Sequence, residues 1–148
     1  MTSITANQNE QDKGLIRRLY GEGLGQGNME LVRSLVAPNF VNHSNGLTGP
    51  EGFIATVLPL RKAFPDIRYT IDDLVAEDGR VAVRLTVEGT HRAPFAGIEA
   101  TGKPVTQHAI VIYRCAEGKL AESWIQVDRL AMLEQLGVAP GAARPAGA

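Results

Sequence analysis

Hydrophobic residues recur along this chain at two spacings, helical in the first half and alternating in the second. From about Glu10 to Leu24, Leu15, Ile16, Leu19 and Tyr20 repeat at helical intervals, with Arg17 and Arg18 on the other side. The glycine cluster of GEGLGQGN is expected to end that helix, because glycine disfavours helix interiors and supplies turns. Asn28 is placed to cap a short second helix carrying Leu31, Val32, Leu35 and Val36, with Pro38 as its stop. NFVNHSNGLTG reads as a short strand or extended piece followed by a loop. Thr48-Gly49-Pro50-Glu51 then opens a third helix, since proline fits a first turn and Glu51 complements the positive helix end. Phe53, Ile54, Val57 and Leu58 form its apolar stripe, and Pro59 is expected to kink it or end it early.

From Ile67 onward the pattern alternates. Ile67–Val75 is the first strand, and AEDG (76–79) is a hairpin turn. In RVAVRLTVEGTH, Val81, Val83, Leu85 and Val87 share one face and Arg80, Arg84, Thr86 and Glu88 the other. A loop, RAPFAGIEATGKP, separates this strand from two more, Val105–Cys115 and Leu120–Asp128, joined by a turn at AEGK. A last helix, Leu130–Leu136, stops at Gly137. Helices followed by a run of strands imply an α+β fold with an antiparallel sheet and the helices on one face. If the sheet curves, it encloses a small-molecule cavity between sheet and helices. The domain is expected over residues 10–137, with a flexible polar segment at 1–9 and a disordered tail at 138–148.

Composition narrows the function. The chain's 148 residues suit one domain with one core. Fifteen Lys+Arg against sixteen Asp+Glu, a net charge of −1, give no basic excess for nucleic acid. No apolar run approaches a membrane span, and the polar N-terminus lacks a signal-peptide core. A single cysteine, Cys115, excludes an intrachain disulfide. These features imply a reduced, cytoplasmic domain without a nucleic-acid or membrane partner.

GPEGF (49–53), AFPD (63–66), GTH (89–91) with FAGIEATGKPV (95–105), YRCAEGKLAESW (113–124) and DRLAMLEQLG (128–137) together resemble the SnoaL-like polyketide cyclase family. They span most of residues 12–137. The family shares the nuclear-transport-factor-2 and ketosteroid-isomerase fold and includes ester cyclases. The resemblance implies a cone-shaped curved sheet, antiparallel or mixed, packed on N-terminal helices with a short C-terminal helix. It further implies an apolar pocket for a hydrophobic small molecule, and a homodimer through the outer sheet face. Its aldol cyclases close a ring without metal or organic cofactor. Their Asp and His, on the last strand and the one before it, fall by register from EGK and DRLAMLEQLG at Ile125 and Val111 here. Neither residue can move a proton.

Alternation places Gln107, Ala109, Val111 and Tyr113 on one face, and Ser123, Ile125 and Val127 on one face of the next strand. As pocket-lining faces these form an apolar interior with Gln107, Tyr113 and Ser123 as its polar groups. Asp128 has two readings, the N-cap of the last helix or a catalytic acid/base. Trp124 is either an anchor for a partner subunit or a substrate contact. His43, in FVNHSNG, is the other candidate base, with Tyr113 or Gln107 as donor to an enolate. His91 reads as structural and His108 as outward-facing. The three histidines are too scattered for a metal motif, and Cys115 lacks an activating neighbour. Asp72-Asp73 reads as a solvated pair whose side chains point oppositely. Three functions follow: a cofactor-free cyclase or isomerase of a hydrophobic carbonyl compound, a non-catalytic binding module, or a hydrolase of the same fold.

Overall fold

The structure, a computed structural model, describes residues 2–138. The first helix, α1, runs from Thr2 to Arg18 and continues as a π-helical segment, Leu19–Gly25. The helix therefore starts earlier than the Glu10 marked by apolar spacing. Residues 5–8 of this added stretch are exposed, and helix propagates from an anchored segment by local hydrogen bonds alone. The glycine cluster, expected to end the helix, instead permits its continuation with wider, π-helical winding. A Cβ on Gly25 would sit 2.6 Å from the Tyr20 carbonyl oxygen, and one on Gly23 would sit 2.9 Å from Val32 Cγ2. Leu19, Tyr20 and Leu24 are thereby all turned into the core.

Asn28 caps α2 (Met29–Leu35), its side chain accepting from Leu31 N. Val36 belongs to β1 (Val36–Asn42), not to the helix. Pro38 sits within this strand, tolerated because β1 lies at the sheet edge. The third helix, α3 (Gly49–Ala63), runs through Pro59 without ending. The carbonyl four residues earlier belongs to Ala55, which is exposed.

The remaining strands are β2 (Arg68–Glu77), β3 (Arg80–Thr90), β4 (Pro104–Ala116) and β5 (Lys119–Val127), followed by α4 (Arg129–Leu136). They form one mixed sheet in the order β1-β5-β4-β3-β2, antiparallel except for the parallel β1–β5 pair. Both tight hairpins use two central residues with positive φ, Asp78-Gly79 and Glu117-Gly118, the geometry that matches strand twist. A bulge in β2 between Ile71 and Asp73 corrects the expectation for the aspartate pair. Both carboxylates reach Arg84, at 2.6 Å from Asp73 and 3.8 Å from Asp72.

The inner sheet face packs on α1, the π-helical segment, α3 and α4. Ile16, Leu19, Val32, Phe40, Val81, Val83 and Leu120 are fully buried there. Each such side chain contributes about 1.5–3 kcal/mol by leaving water. At the C-terminus, Gly137 and Val138 close α4 by bonding Glu134 O and Leu133 O, and Val138 packs against the core. Beyond Val138 the expected tail lies outside the described residues. Among the described residues no helix is long and apolar enough to cross a membrane.

Candidate functional site

A cavity of about 480 Å³ lies between the inner sheet face and the helices. That is within the range that holds a drug-sized ligand. Its walls come from alternate residues of neighbouring strands: Leu85 and Val87 of β3, Gln107, Ala109, Val111 and Tyr113 of β4, and Ile125 and Val127 of β5. Phe53, Val57 and Leu60 of α3 and Phe95 of the β3–β4 loop close it from the other side. Val111 and Ile125 are direct cross-strand partners, so the two positions matched to the aldol cyclases' His and Asp are adjacent. Both members of the pair are aliphatic.

The chain's three tyrosines all line this cavity. Tyr20, aimed inward by the π-helical turn, and Tyr113, from β4, are buried with their hydroxyl oxygens 2.5 Å apart. Tyr69 of β2 packs against Tyr20, with ring centroids 5.5 Å apart. Burial disfavours the charged phenolate, raising both Tyr20 and Tyr113 well above the usual range and pushing Tyr69 up to about 12. At neutral pH all three are therefore protonated, as hydrogen-bond donors rather than bases.

The mouth is more polar. Exposed lining residues Ser44, Asn45 and Leu47 come from the β1–α3 loop, and Val127 from the end of β5. Buried Asn42 anchors that loop by accepting from Ser44 N at 2.9 Å. Ser44 in turn bonds both N and O of Ile125, tying the loop to β5. Arg129, the first residue of α4, is the one charged side chain among the lining residues. It stands over the Phe95 ring at 5.0 Å, and burial lowers its pKa.

Of the residues singled out from the sequence, Gln107, Val111, Tyr113 and Ile125 line the cavity. Four others lie outside its lining. Ser123 is buried, its hydroxyl without a hydrogen-bond partner, and it is not among the lining residues. Trp124 is on the opposite sheet face, stacked on His43 at 4.8 Å. The His43 Nε2 lies 2.8 Å from Glu122, whose other carboxylate oxygen accepts from Arg114. Those two partners hold Glu122 below the usual carboxylate range, the arginine most strongly. Asp128 is exposed and caps α4, accepting from Ala131 N at 3.0 Å.

His91 is fully buried and stacked on Phe64. Its Nδ1 accepts from Thr101 N, pinning the β3–β4 loop. His108 is exposed, 3.3 Å from the Thr86 hydroxyl. Burial, with a contribution from the Asp12 carboxylate, pushes the Cys115 thiol up to about 12. No set of three His, Cys, Asp or Glu among the described residues is arranged to hold a metal. Tyr20, Tyr69 and Arg129 were not legible as site residues. Tyr20 reads only as part of the first helix's apolar stripe, and no motif distinguishes Tyr69 or Arg129 as a site residue.

The SnoaL-like polyketide cyclase family model matches residues 14–136. Aklanonic acid methyl ester cyclase DnrD of Streptomyces peucetius is 29% identical over 128 residues, covering 83% of this chain and 88% of DnrD. The candidate polyketide cyclase IdmH of Streptomyces antibioticus superposes with a TM-score of 0.75 at 32% identity, covering 86% of this chain and 99% of that one. A candidate SnoaL-like polyketide cyclase from Jannaschia gives 0.80 at 26% identity, covering 89% and 95%. Sequence match, strand order and cavity agree: this chain belongs to the SnoaL-like polyketide cyclase family.

Proposed function

We propose that this chain takes a hydrophobic, polyketide-like carbonyl compound into its cavity and promotes its cyclisation or isomerisation without a cofactor. The observation that carries this reading is the buried Tyr20–Tyr113 pair in an otherwise apolar cup. One hydroxyl donates to the other, leaving one proton free to meet a ligand carbonyl. Donors fixed in a dry site stabilise negative charge that develops on that oxygen when the neighbouring carbon loses a proton. Aliphatic walls exclude water and hold the chain folded for ring closure.

In this reading neither Asp128 nor His43 removes the proton, since neither lines the hollow. A carbon between two carbonyls is acidic on its own, and water at the mouth or a basic group of the ligand accepts its proton. Hydrolysis is the weaker reading, because it needs a charged cluster to position water and Arg129 alone is charged.

The test is incubation with aklanonic acid, with its methyl ester, the compound named for DnrD, and with simpler 1,3-diketones. Chromatography with mass detection would follow a mass-neutral product. Product formed faster than in buffer, and slowed in Tyr113→Phe, supports the reading. Thermal stabilisation by the ligand without any product would favour the binding module instead, a reading supported by the lack of carboxylate or imidazole in the lining.

The outer sheet face is proposed to receive a second copy. Val75, Ala82, Ile112 and Trp124 stand in one cross-strand row over β2, β3, β4 and β5. Three of them are exposed large apolar groups, and Ile110 adds a fourth beside the row.

A further inference from the structure

Arg129 sits in an unusual place for a guanidinium. It is half-buried at the cavity mouth, between apolar Val127 and the Phe95 ring. Among the described residues no carboxylate lies within ion-pair distance of it, whereas half-buried Lys13, Arg114, Glu88 and Glu122 are in ion pairs and half-buried Arg61 donates to the Leu24 carbonyl. Its neighbour Asp128 is turned away onto the Ala131 amide. The polar atom it does meet is the Met132 Sδ, a weak acceptor, at 3.6 Å. A cation partly stripped of water and left without an anion is unfavourable unless something supplies one.

We infer that Arg129 recognises an anionic group, a carboxylate, on the ligand, so that the compound taken by this cavity is a free acid rather than a neutral ester. This deepens the proposed function and rests on it. The guanidinium's planar fork suits a carboxylate bidentately, and the Phe95 ring fixes its plane from behind. The ligand's apolar body would fill the cup toward the tyrosines, with its acid group held at the mouth. Met132 links the two ends, since its sulfur also accepts from Gln107 Nε2 at 3.5 Å. The methyl ester named for DnrD has no charge to offer such a group, so this chain and that relative would differ in the ligand end they read.

The test uses anthraquinone-2-carboxylate and its methyl ester as probes, with binding measured by calorimetry. The wild-type chain is expected to bind the acid at least about tenfold more tightly than the ester, the worth of a charge-assisted hydrogen bond. Arg129→Met should abolish that preference by weakening acid binding about tenfold relative to ester binding, with far- and near-ultraviolet dichroism as the control for folding. Arg129→Lys should retain part of it, and added salt should weaken acid binding more than ester binding. Equal wild-type affinity for acid and ester, or an acid preference that survives Arg129→Met, would overturn the inference but leave the cavity as a ligand site. Binding of neither probe would overturn the ligand reading itself, and this inference with it.

Discussion

Val111 and Ile125 face each other across β4 and β5, both against the cavity, at the positions where the family's aldol cyclases are expected to hold a His and an Asp. The two side chains are neighbours in the lining, and neither can move a proton. Placing a carboxylate there should be costly in proportion to its charge. Ile125→Asp is expected to lose on the order of 2–4 kcal/mol at neutral pH. Desolvation would raise the new carboxyl's folded pKa. Stability is then greatest below the unfolded value near 4 and falls as pH rises through the folded one. Denaturant melts at pH 4 and pH 8 check this, with a larger deficit at the higher pH. Adding Val111→His should recover part of the loss at pH 8, because the carboxylate gains a partner.

The Tyr20–Tyr113 hydroxyl pair has a separable signature. Tyr113→Phe leaves the Tyr20 hydroxyl buried without its partner, and should cost about 1–3 kcal/mol in denaturant melts. If the pair stabilises a developing enolate, turnover should fall by about 10²–10³ while ligand affinity changes little. Equal losses in affinity and rate would mark the pair as a ground-state binding device instead.

Alkali should act on the same cluster. Tyr69 ionises near 10 when unfolded and at about 12 when folded, so the folded state holds its proton more tightly. Its contribution is fully present below about pH 10 and is lost as pH rises toward 12. Tyr20 and Tyr113 are shifted in the same direction. An ultraviolet titration of the three tyrosines should therefore show delayed ionisation that coincides with loss of the near-ultraviolet dichroism. A simple curve centred near 10 on an intact fold would contradict the burial argument.

Asp128 should behave as a cap. Asp128→Ala is expected to lose about 0.5–2 kcal/mol, and Asp128→Asn only a small part of that, because an amide oxygen still accepts from Ala131 N. Turnover and ligand affinity should survive the Asn change. A collapse of rate at unchanged stability would return the carboxylate to the mechanism.

The apolar row on the outer face predicts self-association. Trp124→Lys places a charge at its end and should shift sedimentation toward the monomer, with cavity ligands still bound. An unchanged sedimentation coefficient would mean that the row is not a joint between copies.

Alternation is a reliable guide in β3 and β4 because one face of these strands is buried. Gln107, Val111 and Tyr113 reached the cavity for that reason. Periodicity says less where side chains are exposed, as at residues 5–8 of α1, or where winding changes, as at Leu19–Gly25. Tyr20 meets Tyr113 only through that change, between residues 93 apart in sequence. No local pattern encodes such a meeting. Ser123 shows the converse limit: it shares the inward strand face with Ile125 and is buried, yet it is not among the lining residues. Arg129 was invisible because its importance lies in what does not surround it.

The placement of the chain's single tryptophan outside and all three tyrosines inside gives the molecule two independent optical reporters. Indole emission, already stacked on an imidazole, will register events on the outer sheet face directly. Phenol absorbance will register filling of the hollow. A water-soluble quencher applied to the indole therefore reads the joint between copies, and cup occupancy is read from the phenols.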